Sequence, residues 1–372
     1  MMNKERIGLY LHVPFCVQKC RYCDFCSFPA GEALRGDYVA ALIREIKGAP
    51  EEKREVDSIF LGGGTPSLLS SEDFSHIFSA LSEKYRIAPD AEITVEMNPG
   101  TVTEQKLHRL RSLGVNRVSM GLQSAQNGEL SILGRIHTYE DFLGSLALVR
   151  VCGFENINVD LMYAIPSQTV ESYRETLERV IALSPAHISA YSLILEEGTP
   201  FYRERESLAL PTEEEEERMY LLTCELLKKA GYAHYEISNY AKEGAACRHN
   251  LRYWQGGDYL GFGLAAHSLY KGKRLAHTES LSRYLCDPLT YEIEEIRERA
   301  DEAEEYIMLG LRTSQGISLG EYRARFGTDL LAQKREPIAL FSSHGLLAIE
   351  GDRLFLTERG FFLSNTVLCE LM

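Results

Sequence analysis

The chain has 372 residues, 45% of them hydrophobic and 25% charged, and a net charge of −14. The acidic excess argues against broad electrostatic binding to nucleic acid or to an anionic membrane surface. No run of about 18 or more apolar residues is present, so no transmembrane helix is expected. The opening "MMNKERIGLYLHVPFC" lacks a signal peptide's apolar run and small-residue cleavage site, and the expectation is a cytoplasmic protein. In that compartment disulfides are rare, so the nine cysteines, an odd number, read as metal ligands or reactive groups.

In chain order, strand-like runs alternate with helical ones from residue 7 to about 193. The expected strands are "IGLYLHV", "VDSIFLG", "EITVEMN", "NRVSMGLQ", "NINVDLMY" and "HISAYSLI". Between them lie amphipathic segments such as "DYVAALIREIK", "SEDFSHIFSALSEKY" and "TVESYRETLERVIAL". Strands separated by helices of this length read as repeated βαβ units and hence a parallel sheet. Either an open doubly wound sheet or a full or partial α/β barrel satisfies the pattern, and in both chemistry gathers at the carboxyl ends of strands.

"PTEEEEERMYLLTCELLKKAG" follows, a helix whose glutamates complement the dipole at its start. Residues 232–298 are mixed and rich in Gly and Tyr. From about 299 three helical segments precede a hairpin, "LLAIEGDRLFLT", in a winged-helix-like order. The expected divisions are 1–231, a connecting segment 232–298, and a C-terminal domain 299–372.

The densest chemistry lies in "CVQKCRYCDFC", residues 16–26. Cys16, Cys20 and Cys23 form a C-x3-C-x2-C run after the first strand. Three thiolates on a short loop can bind three irons of a [4Fe–4S] cluster and leave the fourth iron open. Zinc would want four ligands, and Cys26 could supply the last. The next loop, "LGGGTP" (Leu61–Pro66), follows the second strand, and its glycines let backbone approach a ligand closely. The pairing of these two loops favours the cluster.

With both loops in view, the sequence resembles the radical S-adenosylmethionine (SAM) superfamily. "YLHVPFC", "GGGTPS", "VEMNP", "GLQS", "LGRIH" and "NVDLMYAIPSQT" run in the order of one branch. That branch holds oxygen-independent coproporphyrinogen III dehydrogenase and the HemW-type haem chaperones. The resemblance implies a partial (β/α)6 barrel with a C-terminal winged-helix-like helical domain. It also implies a SAM pocket made by Tyr10, Tyr22, Gly63, Gly64, Thr65, Glu96, Gln123, Arg135 and Asp160, beside a cluster on Cys16, Cys20 and Cys23. The expected partners are haem, a haem-acceptor protein, an electron donor and, peripherally, membrane haem proteins.

"CRHNLRYW" (Cys247–Trp254) carries the chain's only tryptophan and resembles the HNxxYW signature of the chaperones, which is associated with haem binding. An imidazole can ligate haem iron, and flat aromatics can pack on the porphyrin. His249, Tyr253 and Trp254 are the candidates, with His267 a second histidine to weigh. On residue type alone, a lone histidine reads as a packed polar group.

Two features separate the branch's members. The dehydrogenase carries a longer N-terminal arm and a cysteine two residues past the third ligand, where this chain has Phe25. Both favour the chaperone, as does HNxxYW. Cys26 departs from the chaperones' usual asparagine and reads as a non-ligand. The competing classes are a haem-binding and transfer protein, an oxidoreductase decarboxylating porphyrinogen propionates and, more remotely, another radical enzyme such as a methyltransferase.

Overall fold

The computed structural model describes residues 6–372; the first five residues, which begin the expected first domain, lie outside it. Six parallel strands appear where the sequence places them. They are β1 (Arg6–Val13), β2 (Glu55–Gly63), β3 (Ile87–Met97), β4 (Arg117–Gln123), β5 (Asn156–Tyr163) and β6 (His187–Ser192). They pair side by side in chain order. The crossovers run through α1 (Glu32–Gly48), α2 (Ser71–Lys84), α3 (Glu104–Ser112), α4 (Tyr139–Val151) and α5 (Val170–Leu183).

Period-two patterning explains how each strand is buried on both faces. In β1, Ile7, Leu9, Leu11 and Val13 are fully buried in one core that also holds Leu42 and Ile46 of α1. The alternate residues Gly8, Tyr10 and His12 belong to the opposite, inner face. That inner face is strongly concave, because strands two places apart touch across it: Gln123 Nε2 of β4 lies 3.4 Å from the Tyr191 hydroxyl of β6. Helix starts are fixed by side-chain caps. Ser70 with Asp73, Thr138 with Asp141 and Thr169 with Ser172 each close a reciprocal box at α2, α4 and α5.

The glutamate-headed helix is α6 (Glu213–Lys229), capped by Thr212 and Glu215. Residues 232–298 do more than connect. They add β7 (Ala233–Glu236) and β8 (Asn239–Ala241) beside β6, and they form a short helix, α7 (Arg248–Trp254). They also add β9 (Tyr259–Phe262), β10 (His267–Tyr270), β11 (Lys273–His277) and β12 (Tyr291–Ile296) on the far side of β1. The result is one twelve-stranded sheet, ordered β12-β11-β10-β9-β1-β2-β3-β4-β5-β6-β8-β7.

The C-terminal domain contains α8 (Arg299–Gly310), α9 (Leu319–Phe326) and α10 (Arg335–Ser343), then a hairpin of Leu347–Glu350 with Arg353–Leu356. Ile317–Ser318 adds a third strand to that hairpin, completing the winged-helix-like order. Among the described residues no helix is long and apolar enough to cross a membrane.

Candidate functional site

At the carboxyl ends of the six strands lies a cavity of about 530 Å³, within the range of small-molecule sites. Cys16, Cys20 and Cys23 line it, together with Tyr22, Gly63, Gly64, Glu96, Gln123, Arg135 and Asp160. Cys26 is not among the lining residues; its carbonyl instead meets His12 Nε2 at 2.8 Å. Tyr10 is also set back from the cavity, with its hydroxyl on His12 Nδ1 at 2.9 Å. Tyr22 packs with a small core of Leu133, Met162, Ile165 and Phe201 while facing the cavity.

The glycine loop has a use the sequence did not disclose. Gly64 N donates to Val13 O at 2.8 Å and Thr65 N donates to Phe15 O at 2.7 Å, stitching the loop to the chain that leads into the cysteines. A Cβ at Gly64 would sit 2.7 Å from Phe15 O. Gly63 has φ +108°, and a Cβ there would sit 2.5 Å from the His12 ring. These glycines therefore let two backbones meet, beside any approach they allow to a ligand.

The polar residues divide into those that are satisfied and those that are not. Glu96 Oε2 accepts from Gly63 N at 3.1 Å. Burial, followed by the neighbouring Asp160, pushes its carboxyl up to about 8, so it holds a proton at neutral pH. Burial likewise raises Asp160, against opposing hydrogen bonds from Ser189, Asn158 and Ser119. Gln123 has a buried Oε1 with no partner and a backbone φ of 70°, both unusual for a residue whose only task is packing. Arg135 Nη1 points at Cys20 Sγ at 3.6 Å, and Thr65 Oγ1 points at Cys16 Sγ at 3.7 Å.

Residues 10–180 match the Radical SAM superfamily, and residues 298–363 match the HemN C-terminal domain. Proteins named heme chaperone HemW are similar over nearly the whole length. The Escherichia coli one is 36% identical over 99% of this chain and 98% of its own. The Lactococcus lactis one is 34% identical over 99% and 97%. The chain belongs to the HemW family of radical SAM proteins. Coproporphyrinogen III oxidase (HemN) from Escherichia coli, described as a radical SAM enzyme, shares the fold: TM-score 0.86, 23% identity, 99% of this chain and 91% of that one.

Membership in a radical SAM family implies a [4Fe–4S] cluster and SAM, and the cavity fits both. It presents three thiols together with Gln123 Oε1, an orphaned buried acceptor that a ligand donor would satisfy.

The "HNLRYW" segment lies elsewhere, on α7. Helix α7 closes the amino end of the barrel. Arg252 runs beneath Gly8, where a Cβ would sit 2.6 Å from its Cδ, and it is paired with Asp57. Glu92 Oε1 accepts from Cys247 Sγ at 3.4 Å and from His249 N at 3.2 Å. His249 is 1% exposed and stacked on Phe60 at 5.4 Å. Its Nδ1 meets Ser58 Oγ at 3.0 Å and its Nε2 meets the Tyr253 hydroxyl at 2.8 Å. Burial, then Arg252 and Arg117, lowers the imidazole to about 3, so it is neutral.

Trp254 turns the other way, into a smaller cavity of about 130 Å³ shared with Tyr306, Arg325 and Arg353 of the C-terminal domain. His249 and Tyr253 thus stay together, and Trp254 does not join them. His267 is exposed at the start of β10.

Sequence reasoning did not single out His12, Asn98 or Tyr191. Asn98 stands inside the quoted "VEMNP" run, and Tyr191 sits at the carboxyl end of β6 on the inward phase. Both could have been found by counting two residues on from an inward-facing position.

Proposed function

We propose that this chain is a haem chaperone that binds a [4Fe–4S] cluster through Cys16, Cys20 and Cys23, holds SAM in the adjoining cavity, and passes haem to an acceptor protein. The observation that carries this reading is one cavity lined by those three thiols in a chain that matches HemW-named proteins end to end. When bound, the cluster supplies an electron to the sulfonium of SAM, and that electron in turn must come from a donor.

The protein's own part is positioning. The glycine loop and Glu96 form one wall, and Gln123 and Arg135 supply amide and guanidinium groups on another. Protonated Glu96 can donate a hydrogen bond while it accepts from Gly63 N, and a cation bound beside it would favour the ionised carboxylate.

In the described conformation His249 is a floor residue with both ring nitrogens engaged. For it to ligate haem iron, α7 must open away from Ser58, Phe60 and Glu92. Trp254 needs no such movement to face a cavity. The deciding experiment assays the anaerobically reconstituted protein in parallel for haem binding and for coproporphyrinogen decarboxylation. Haem binding without decarboxylation is the expected result. Vigorous decarboxylation would move the chain to the dehydrogenases.

A further inference from the structure

We propose that Asn98 is a positioning residue that aims hydrogen-bond donors at two of the three cluster cysteines and thereby sets the cluster's reduction potential. This rests on the reading that Cys16, Cys20 and Cys23 hold the cluster. Asn98 follows directly on β3. Its Nδ2 donates to Thr65 Oγ1 at 2.7 Å, and its Oδ1 accepts from Arg135 Nη2 at 2.6 Å. The far sides of those same two groups face sulfur: Thr65 Oγ1 is 3.7 Å from Cys16 Sγ, and Arg135 Nη1 is 3.6 Å from Cys20 Sγ. One amide therefore bridges two donors whose other ends reach two thiolates.

The amide's orientation is forced. Turned over, it would set its NH2 against the guanidinium, donor to donor, at 2.6 Å. In the orientation observed, the amide hydrogen occupies a lone pair of the Thr65 oxygen, and the hydroxyl's own hydrogen is left for Cys16.

The surroundings keep Asn98 in place. Thr101 Oγ1 donates to the Asn98 carbonyl at 2.6 Å. Gly121 leaves room for the amide, since a Cβ there would sit 3.0 Å from Asn98 Oδ1, and the Gly121 carbonyl takes a second bond from Arg135 Nη2 at 2.7 Å. Neither aspartate nor alanine could do the same work. A carboxylate at residue 98 would accept from Thr65, turning that hydroxyl away from Cys16, and would add a negative charge beside the cluster. Alanine would leave both donors free to rotate.

A donor on a cluster thiolate stabilises the reduced, more negative cluster more than the oxidised one, and so raises the potential. The test is a SAM-free redox titration of the reconstituted full chain, followed by EPR of the reduced cluster, for wild type, Asn98→Ala, Asn98→Asp and Thr65→Val. Both Asn98 variants should reduce less readily by tenfold or more in equilibrium constant, a negative shift of about 59 mV for one electron, with Asp lower than Ala. Thr65→Val should reproduce part of the shift, and adding Asn98→Ala to it should lower the midpoint by less than Asn98→Ala does alone. Iron content should be unchanged throughout.

Midpoints within the scatter of wild type in cluster-loaded variants would overturn the inference. So would full additivity of Thr65→Val and Asn98→Ala. If the Asn98 variants fail to load, Thr65→Val decides: an unmoved midpoint overturns the inference, and a negative shift supports it. Wild-type protein that takes up no four-iron cluster would overturn the cluster reading itself, and the iron count separates that failure from the others.

Discussion

The two ends of the barrel are built from the same material and do opposite things with it. Both carry charged and polar side chains on the inward phase of the parallel strands: Glu96 and Asp160 towards one end, Ser58, Glu92 and Arg117 towards the other. At the carboxyl end a cavity of about 530 Å³ leaves Gln123 Oε1 without a partner and Glu96 holding a proton. At the amino end α7 fills the space, and its histidine has a bond on each ring nitrogen. Two motifs that look equally functional in the sequence therefore differ in the one respect that decides ligand binding. At the mouth Gln123 keeps a buried acceptor open beside a cavity, whereas His249 has both ring nitrogens engaged, and the atoms left unpartnered around α7 are the donor nitrogens of Arg117, Arg252 and Trp254.

The sharpest break in this comparison comes from the cysteines. Alanine at Cys16, Cys20 or Cys23 should abolish the cluster, measured as iron per chain after anaerobic reconstitution, whereas Cys26→Ala should keep it. A cluster that survives loss of a cavity thiol but not of Cys26 would put the site in the wrong place.

Next in size is the floor. His249→Ala removes a buried ring and strands the hydroxyls of Ser58 and Tyr253, which should lower unfolding stability by about 2–4 kcal/mol. Denaturant midpoints and the Soret band should be measured on the same samples. Haem binding lost at full stability would show that His249 is a ligand first and a floor residue second. Stability lost with the Soret band unchanged would make it structural alone.

What could be read in advance follows the physics of each signal. The six strands and their helices were legible because a parallel sheet covered on both sides demands apolar runs punctuated by amphipathic ones, and the caps mark the boundaries. The cysteine loop stood out as a candidate metal site because three thiols so close together in sequence have few other uses. Spacing alone does not place Cys26 relative to the other three thiols, because that depends on where the loop turns; its carbonyl meets His12, fourteen residues away. The role of α7 was hidden for the same reason. Nothing local to "HNLRYW" states that Gly8, Ser58 and Glu92, contributed by three separate strands, wait beneath it. Gly63 and Gly64 were read as space for a ligand, while much of their necessity comes from the approach of Val13, Phe15 and His12. Gly63→Val would consequently strain the backbone whether or not SAM binds there, and it is a poor test of the pocket.

Glu96 gives a cleaner one. Its carboxyl stays protonated up to about pH 8 in the folded chain but ionises near its ordinary 4.5 when unfolded. The native state therefore binds the extra proton in that window, and stability falls as pH rises through it, by about 1.4 kcal/mol per pH unit. Glu96→Gln should flatten this slope in cluster-free protein, as followed by chemical unfolding at pH 5, 6, 7 and 8. An identical slope in the variant would show that the mouth does not hold its acid in the protonated form.

The smallest effect sought is also the most specific to an open mouth. Gln123 spends a buried carbonyl oxygen on nothing in the protein, and its amide NH2 has only a long contact to Tyr191 at 3.4 Å. An unmade buried hydrogen bond costs free energy in the empty protein, and a ligand donor that completes it recovers that cost. Gln123→Met keeps the volume and the backbone strain at φ 70° while deleting the polar atoms. Stability of the unloaded variant should then rise or stay level, whereas SAM binding to the cluster-loaded variant should weaken several-fold, on the order of 1 kcal/mol. Calorimetric titration with SAM and denaturant unfolding measure the two signs separately. A packing role predicts that both move together, with affinity lost because the fold is lost. An open acceptor predicts that they part. Loss of stability together with unchanged SAM affinity would make the orphaned oxygen a packing feature and erase the distinction between the barrel's two ends.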